Sequence, residues 1–187
     1  MSLHRPPPRL FALIIGINEY ESPAIQNLLG AVPDADAVRD YLQKHLGVPS
    51  SQIRNLRDSE ATRTAIIDEI KAFLHNDDIK PGDPILIYYA GHGGRAETPP
   101  DWEAGGTKIQ LLVPCDYSTQ LEAVEQEEID QKQAIPDRTL GALLTRLANK
   151  KGDNIVRQTI VRRLSANYVT VCYPRLLSLQ FWHTKWK

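Results

Sequence analysis

An α/β domain, with a mostly parallel sheet and helices on both faces, is the fold class this sequence predicts, and three observations predict it. Leu10 to Ile17 and Ile85 to Ala90 are apolar throughout instead of alternating, as strands buried on both faces are. Segments with apolar residues at helical spacing separate the extended runs. The order therefore reads strand, helix, strand, helix, strand, which calls for right-handed crossovers and a parallel sheet. A length of 187 residues suits one core and not two full domains.

Residues 1–9, with three consecutive prolines, read as a flexible lead-in to the first strand, Leu10 to Ile17. Asn18 to Asn27 is a loop. Pro33-Asp34 opens a helix with an acid near its positive end. Val38, Tyr41, Leu42 and Leu46 follow at helical spacing until Gly47 stops it. Ile53 to Leu56 is a short strand, and Thr62 caps a helix that turns Ile66, Ile67, Ile70, Phe73 and Leu74 inward. Pro81-Gly82-Asp83-Pro84 turns the chain into the strand that ends at His92. Gly94 to Gly106 is an exposed polar loop, Lys108 to Val113 a short strand, and Glu122 to Asp130 a solvated acidic segment. Pro136-Asp137 then caps a helix with Leu140, Leu143, Leu144 and Leu147 on one face, closed by Gly152.

A further strand is expected after Gly152, but the composition changes at Asn154. Beyond Asp153 there is no Asp or Glu, and Arg157, Arg162, Arg163, Arg175, Lys185 and Lys187 contribute +6. Residues 1–153 carry −7, from 16 basic against 23 acidic residues, so the formal net charge of −1 hides a sharp asymmetry. The domain reading follows: residues 10–153 form the α/β domain, and 154–187 a divergent basic and aromatic tail. Such a switch fits a change of reading frame or a retained intron.

The two cysteines, Cys115 and Cys172, form no Cys-x-x-Cys pair and no disulfide framework, which suits a reducing compartment and a cytoplasmic protein. No apolar run reaches the roughly 20 residues that span a bilayer, and the start lacks a signal-peptide core, so no membrane role is expected. Six scattered cations without a motif predict no nucleic-acid partner.

The chemistry points to His92, framed by Gly91 and Gly93 at the end of an apolar strand, where open α/β sheets bind ligands. Its ordinary pKa suits acid–base work near neutrality, and the Gly93 N–H is a candidate oxyanion donor. No Gly-x-Ser-x-Gly elbow, phosphate-binding loop or clustered metal-ligand set accompanies it. Neither a metal nor another cofactor is therefore expected, and a cysteine nucleophile remains.

Here the chain resembles the caspase-like fold, and within it the metacaspases. Ala12-Leu13-Ile14-Ile15-Gly16-Ile17-Asn18-Glu19-Tyr20 is similar to the family's first strand and loop. Leu29-Gly30-Ala31-Val32-Pro33-Asp34-Ala35 resembles its Leu-x-Gly-Cys-x-Asn-Asp-Ala segment, with Ala31 in place of Cys. Tyr88-Tyr89-Ala90-Gly91-His92-Gly93 matches its catalytic-histidine motif. The resemblance covers residues 10–153 and implies a cysteine endopeptidase acting on peptides or proteins through a Cys–His dyad. His92 would be the dyad histidine, Gly93 would lie near the oxyanion, and Asp34 would bind a basic P1 side chain. Asp34 also reads as an ordinary helix-start acid, and the two roles are compatible.

The departure comes after Ile155, where the family continues into a strand ending in Asp-x-Cys-His-Ser-Gly or similar. This chain reads Val156-Arg157-Gln158-Thr159-Ile160-Val161-Arg162-Arg163-Leu164, with no cysteine at the strand end. Cys172 comes too late and lacks a preceding acid, and Cys115 reads as a small buried hydrophobe. The expectation is a domain truncated before its nucleophile-bearing strand and inactive as a peptidase. The alternative is a caspase-fold interaction module that associates with itself or a relative through an exposed sheet edge.

Overall fold

In the computed structural model the described residues are 8–96, 108–118 and 133–163. The expectations for the N-terminus before residue 8, the loop 97–106, the segment 122–130, Cys172 and the tail after 163 lie outside them. β1 (Phe11–Gly16) is buried at every position, as its unbroken apolar run requires. It pairs in parallel with β2 (Ile53–Arg57) on one side and β3 (Ile85–Ala96) on the other. α1 (Ala31–Asp40) begins earlier than the Pro33 signal and runs into a π turn at Tyr41–His45; Gly47, at φ 69°, follows it. α2 (Arg63–His75) starts where Thr62 accepts a hydrogen bond from the Ala65 N–H at 3.1 Å.

Beyond His92, β3 pairs antiparallel with β4 (Ile109–Leu112), which pairs with the two-residue β5 (Ile135–Pro136). α3 (Asp137–Lys151) follows, with Leu140, Leu143 and Leu147 buried, and packs beside α2. At its end the buried Lys151 ammonium donates to the carbonyls of Asn76 (2.8 Å) and Ile79 (3.0 Å), tying the two helices' C-terminal ends together. The α/β class with a mostly parallel sheet is thus the observed architecture.

The sheet does not stop at residue 153. β6 (Ile155–Arg163) runs parallel to β3 in register from Ile85↔Ile155 to Gly93↔Arg163, giving the order β2-β1-β3-β6 at the parallel end. Charge composition set these residues apart with the tail, but Ile155, Val156, Thr159, Ile160 and Val161 are β-branched and suit a pleated, half-buried surface. Thr159 and the glycine at 93, against which Val161 packs, fix the strand in the layer. A strand therefore occupies the position beside β3 that the sequence reading left empty, and its own outer side is an edge among the described residues.

A charged clamp closes the other end of the sheet. Arg9 holds Asp83 through two parallel hydrogen bonds, Nε to Oδ1 at 2.9 Å and Nη2 to Oδ2 at 2.6 Å, and the Lys80 N–H donates to the same carboxylate. These bonds, that from Arg9 above all, hold the Asp83 carboxyl below the usual aspartate range. A depressed carboxyl stabilises the fold above its unfolded pKa of about 3.9 and loses that contribution as pH falls through the folded value. Asp83→Asn is therefore expected to unfold at lower urea than the parent at pH 6, with the two midpoints converging below about pH 3. Equal midpoints across that range would show the clamp to be energetically idle.

Candidate active site around His92

The site is built by the loop that leaves β1. Asp58, in the left-handed region at φ 42°, accepts hydrogen bonds from the N–H groups of Asn18 (2.7 Å) and Glu19 (3.0 Å). Asn18 in turn accepts from the N–H groups of Ala31 (2.9 Å) and Val32 (3.2 Å), capping α1 from outside its own sequence. Its carbonyl takes the Leu28 N–H, and the Asn27 side chain takes the Tyr20 N–H. The Glu21 N–H reaches the Cys115 carbonyl. The loop is thus fixed to β1, α1 and the segment after β4.

That loop grips His92, which is 4% exposed. The Gln26 carbonyl lies 2.7 Å from its Nε2. A carbonyl can only accept, so Nε2 carries the proton and Nδ1 is the basic nitrogen of the neutral ring. The Tyr20 ring stands 5.0 Å from the imidazole, and its hydroxyl accepts the His92 N–H at 2.7 Å. Sequence reading placed the histidine but not the carbonyl or the tyrosine that hold it.

Asp34 lies in the first turn of α1, which packs on β1 and β3, and is exposed. Its charge helps push the Tyr88 hydroxyl up to about 12, although burial is the larger cause. Tyr88 and His92 alternate onto the same face of β3. The cap of α1 comes from Asn18, so Asp34 is not needed for that task, and no described residue hydrogen-bonds its carboxylate.

Cys115 has the surroundings of a core residue. It is 1% exposed, and burial first, then the charges of Asp116 and Glu21, pushes its thiol up to about 12. Among the described residues no three His, Cys, Asp or Glu side chains gather to hold a metal ion, and no helix is long and apolar enough to cross a membrane.

The glycines around His92 have packing causes. A Cβ at Gly91 would come within 2.7 Å of the Tyr89 hydroxyl and 3.0 Å of that of Tyr20. At Gly93 it would lie 2.9 Å from the Val161 Cβ. Neighbouring strand residues direct their backbone groups to opposite sides. His92 bonds toward Tyr20 and Val113, so the groups of Gly93 turn toward β6, where Arg163 is its register partner. An oxyanion role for Gly93 would need β6 to part from β3 one residue sooner.

The caspase domain family matches residues 9–145. The chain belongs to the caspase domain family. It is 31% identical over 118 residues to Metacaspase-1 of Lodderomyces elongisporus, covering 58% of this chain and 25% of that protein. To Metacaspase-1 of Saccharomyces cerevisiae (strain ATCC 204508 / S288c) it is 30% identical over 125 residues, covering 64% and 28%. A Geobacter sulfurreducens protein of solved crystal structure shares the fold at a TM-score of 0.56 with 18% identity, covering 83% of this chain and 50% of that one. The matches span only about a quarter to three tenths of the first-named relatives' length. Within this family of cysteine peptidases the decisive local fact is the register of β6: the residue opposite His92 is Arg162.

Proposed function

We propose that this chain carries the histidine half of a cysteine endopeptidase centre suited to peptides with Arg or Lys at P1, and that it does not itself cleave them. The observation that supports this reading is the pairing of an oriented His92 with Arg162 in register. The imidazole has its base nitrogen specified, while the adjoining strand offers no thiol to activate. Asp34, exposed on the same face, supplies the carboxylate that a guanidinium or ammonium side chain would seek.

The parent chain is expected to hydrolyse neither Arg-P1 nor Asp-P1 reporter peptides above buffer. A non-cleavable peptide ending in Arg should bind about tenfold tighter than the same peptide ending in Asp, a difference of about 1.4 kcal/mol, and Asp34→Asn should abolish the preference. Parent hydrolysis that His92→Ala removes would overturn the inactivity; equal binding of the two peptides would overturn the basic preference.

One observation favours a second reading, the interaction module. The outer side of β6 is an edge among the described residues, and Val156 on it is 44% exposed. Sedimentation of the purified chain separates the readings: a defined oligomer supports association through that edge, and a monomer does not.

A further inference from the structure

We propose that Tyr20 and Tyr89 are positioning residues for His92, their hydroxyls each holding one backbone group of the histidine so that its ring is set against Gln26. The inference deepens the peptidase reading above and rests on it.

The two hydroxyls hold the histidine from opposite backbone groups. The His92 N–H donates to the Tyr20 hydroxyl at 2.7 Å. The Tyr89 hydroxyl lies 2.8 Å from two carbonyls, those of His92 and Val113, which can only accept, so its proton goes to them. One tyrosine hydroxyl thus takes the His92 N–H and the other gives its proton to the His92 carbonyl, so both backbone groups of the histidine end on a tyrosine. Tyr20, Tyr89 and His92 are all buried, where an unpaired backbone group would be costly.

Two further features make this more than core packing. Tyr20 and Gln26 sit on one loop, so that loop holds His92 twice, at its backbone through Tyr20 and at its ring through the Gln26 carbonyl. A shift of either hydroxyl changes the relation between ring and carbonyl on which the Nε2–H tautomer depends. Gly91 lies under both hydroxyls, where any Cβ would intrude on them. The glycine before the histidine thus makes room for two tyrosines, and that is a different task from admitting substrate.

The test is ring-nitrogen NMR on the full chain with labelled histidine, the His92 signals being identified by their loss in His92→Ala. The parent should show one tautomer, protonated on Nε2. Tyr20→Phe keeps the ring and removes the acceptor, and it should lower the tautomer ratio at least tenfold; Tyr89→Phe should act in the same direction. Asp83→Asn, which opens the Arg9 clamp at the opposite end of β3, is the control for lost stability and should leave the ratio unchanged. A ratio that stays within twofold in both tyrosine variants would overturn the proposal, and so would an equal fall in Asp83→Asn. If Tyr20→Phe does not fold, hydrogen exchange in the parent still decides. A His92 amide exchanging as slowly as Ile87 supports the hold by Tyr20, and one exchanging like the strand ends overturns it. Neither readout uses peptide cleavage. An intact tautomer effect in a chain without P1 preference would sink the peptidase reading and leave the positioning role standing.

Discussion

Cysteine in place of Arg162 is expected to give the His92 site a working nucleophile. Register partners on parallel strands stand about 4.8 Å apart and present side chains to one face, so a thiol at 162 would meet the imidazole at roughly hydrogen-bonding range. The Gln26 carbonyl leaves Nδ1 as the base, and a histidine partner lowers a thiol's pKa from about 8.5 toward neutrality. Alkylation of Arg162→Cys at pH 7 should therefore run roughly tenfold faster than that of an unactivated thiol. Cys115 adds little background, because it is buried with its thiol pushed up to about 12. Cleavage of an Arg-P1 peptide should rise by about 10²–10⁴ over the parent, the usual yield of positioned acid–base chemistry, and His92→Ala in the same chain should return it to background. A folded Arg162→Cys protein that alkylates at the free-thiol rate and cleaves nothing would show that register alone does not make the dyad.

The expectation is legible only in part from sequence, for reasons that differ by residue. β1 and the first half of β3 announce themselves because burial on both faces leaves no polar position to confuse the pattern. α2 and α3 do so because a one-sided apolar stripe has a period of its own. The machinery around the histidine is different in kind. Asn18 caps a helix that begins thirteen residues later, and Asp58 holds that loop from forty residues away. Gln26 acts through a carbonyl that every residue has, so no side chain marks it. Tyr89 did carry a signal: a tyrosine inside a wholly apolar strand must find a partner for its hydroxyl, and it finds two carbonyls. β6 is hidden because the loss of acids after Asp153 is the louder compositional signal, although a strand needs no acids and the β-branched residues are present.

The weight of β6 in the domain has its own expected result: Gly93→Ala should destabilise the protein by roughly 1–3 kcal/mol, and Val161→Ala should recover much of that loss. A Cβ at 93 would sit 2.9 Å from the Val161 Cβ and 3.0 Å from its Cγ1, with the Leu111 carbonyl at 3.3 Å. These atoms are rooted in two flanking strands, so relief requires β6 or β4 to move, and a rotamer change alone does not provide it. Val161→Ala by itself removes two methyl groups from a half-buried position and should cost about 1 kcal/mol. Combined with Gly93→Ala it opens the space that the new methyl needs, so the pair should be less unstable than the sum of the singles by about 1 kcal/mol or more. Urea unfolding of the four chains measures that coupling directly. Additive losses would mean that Val161 does not lie over Gly93, and the register that sets residue 162 opposite His92 would fall with it. Coupling of the expected size fixes β6 in the sheet, and the chemistry of the site then turns on which side chain stands at position 162.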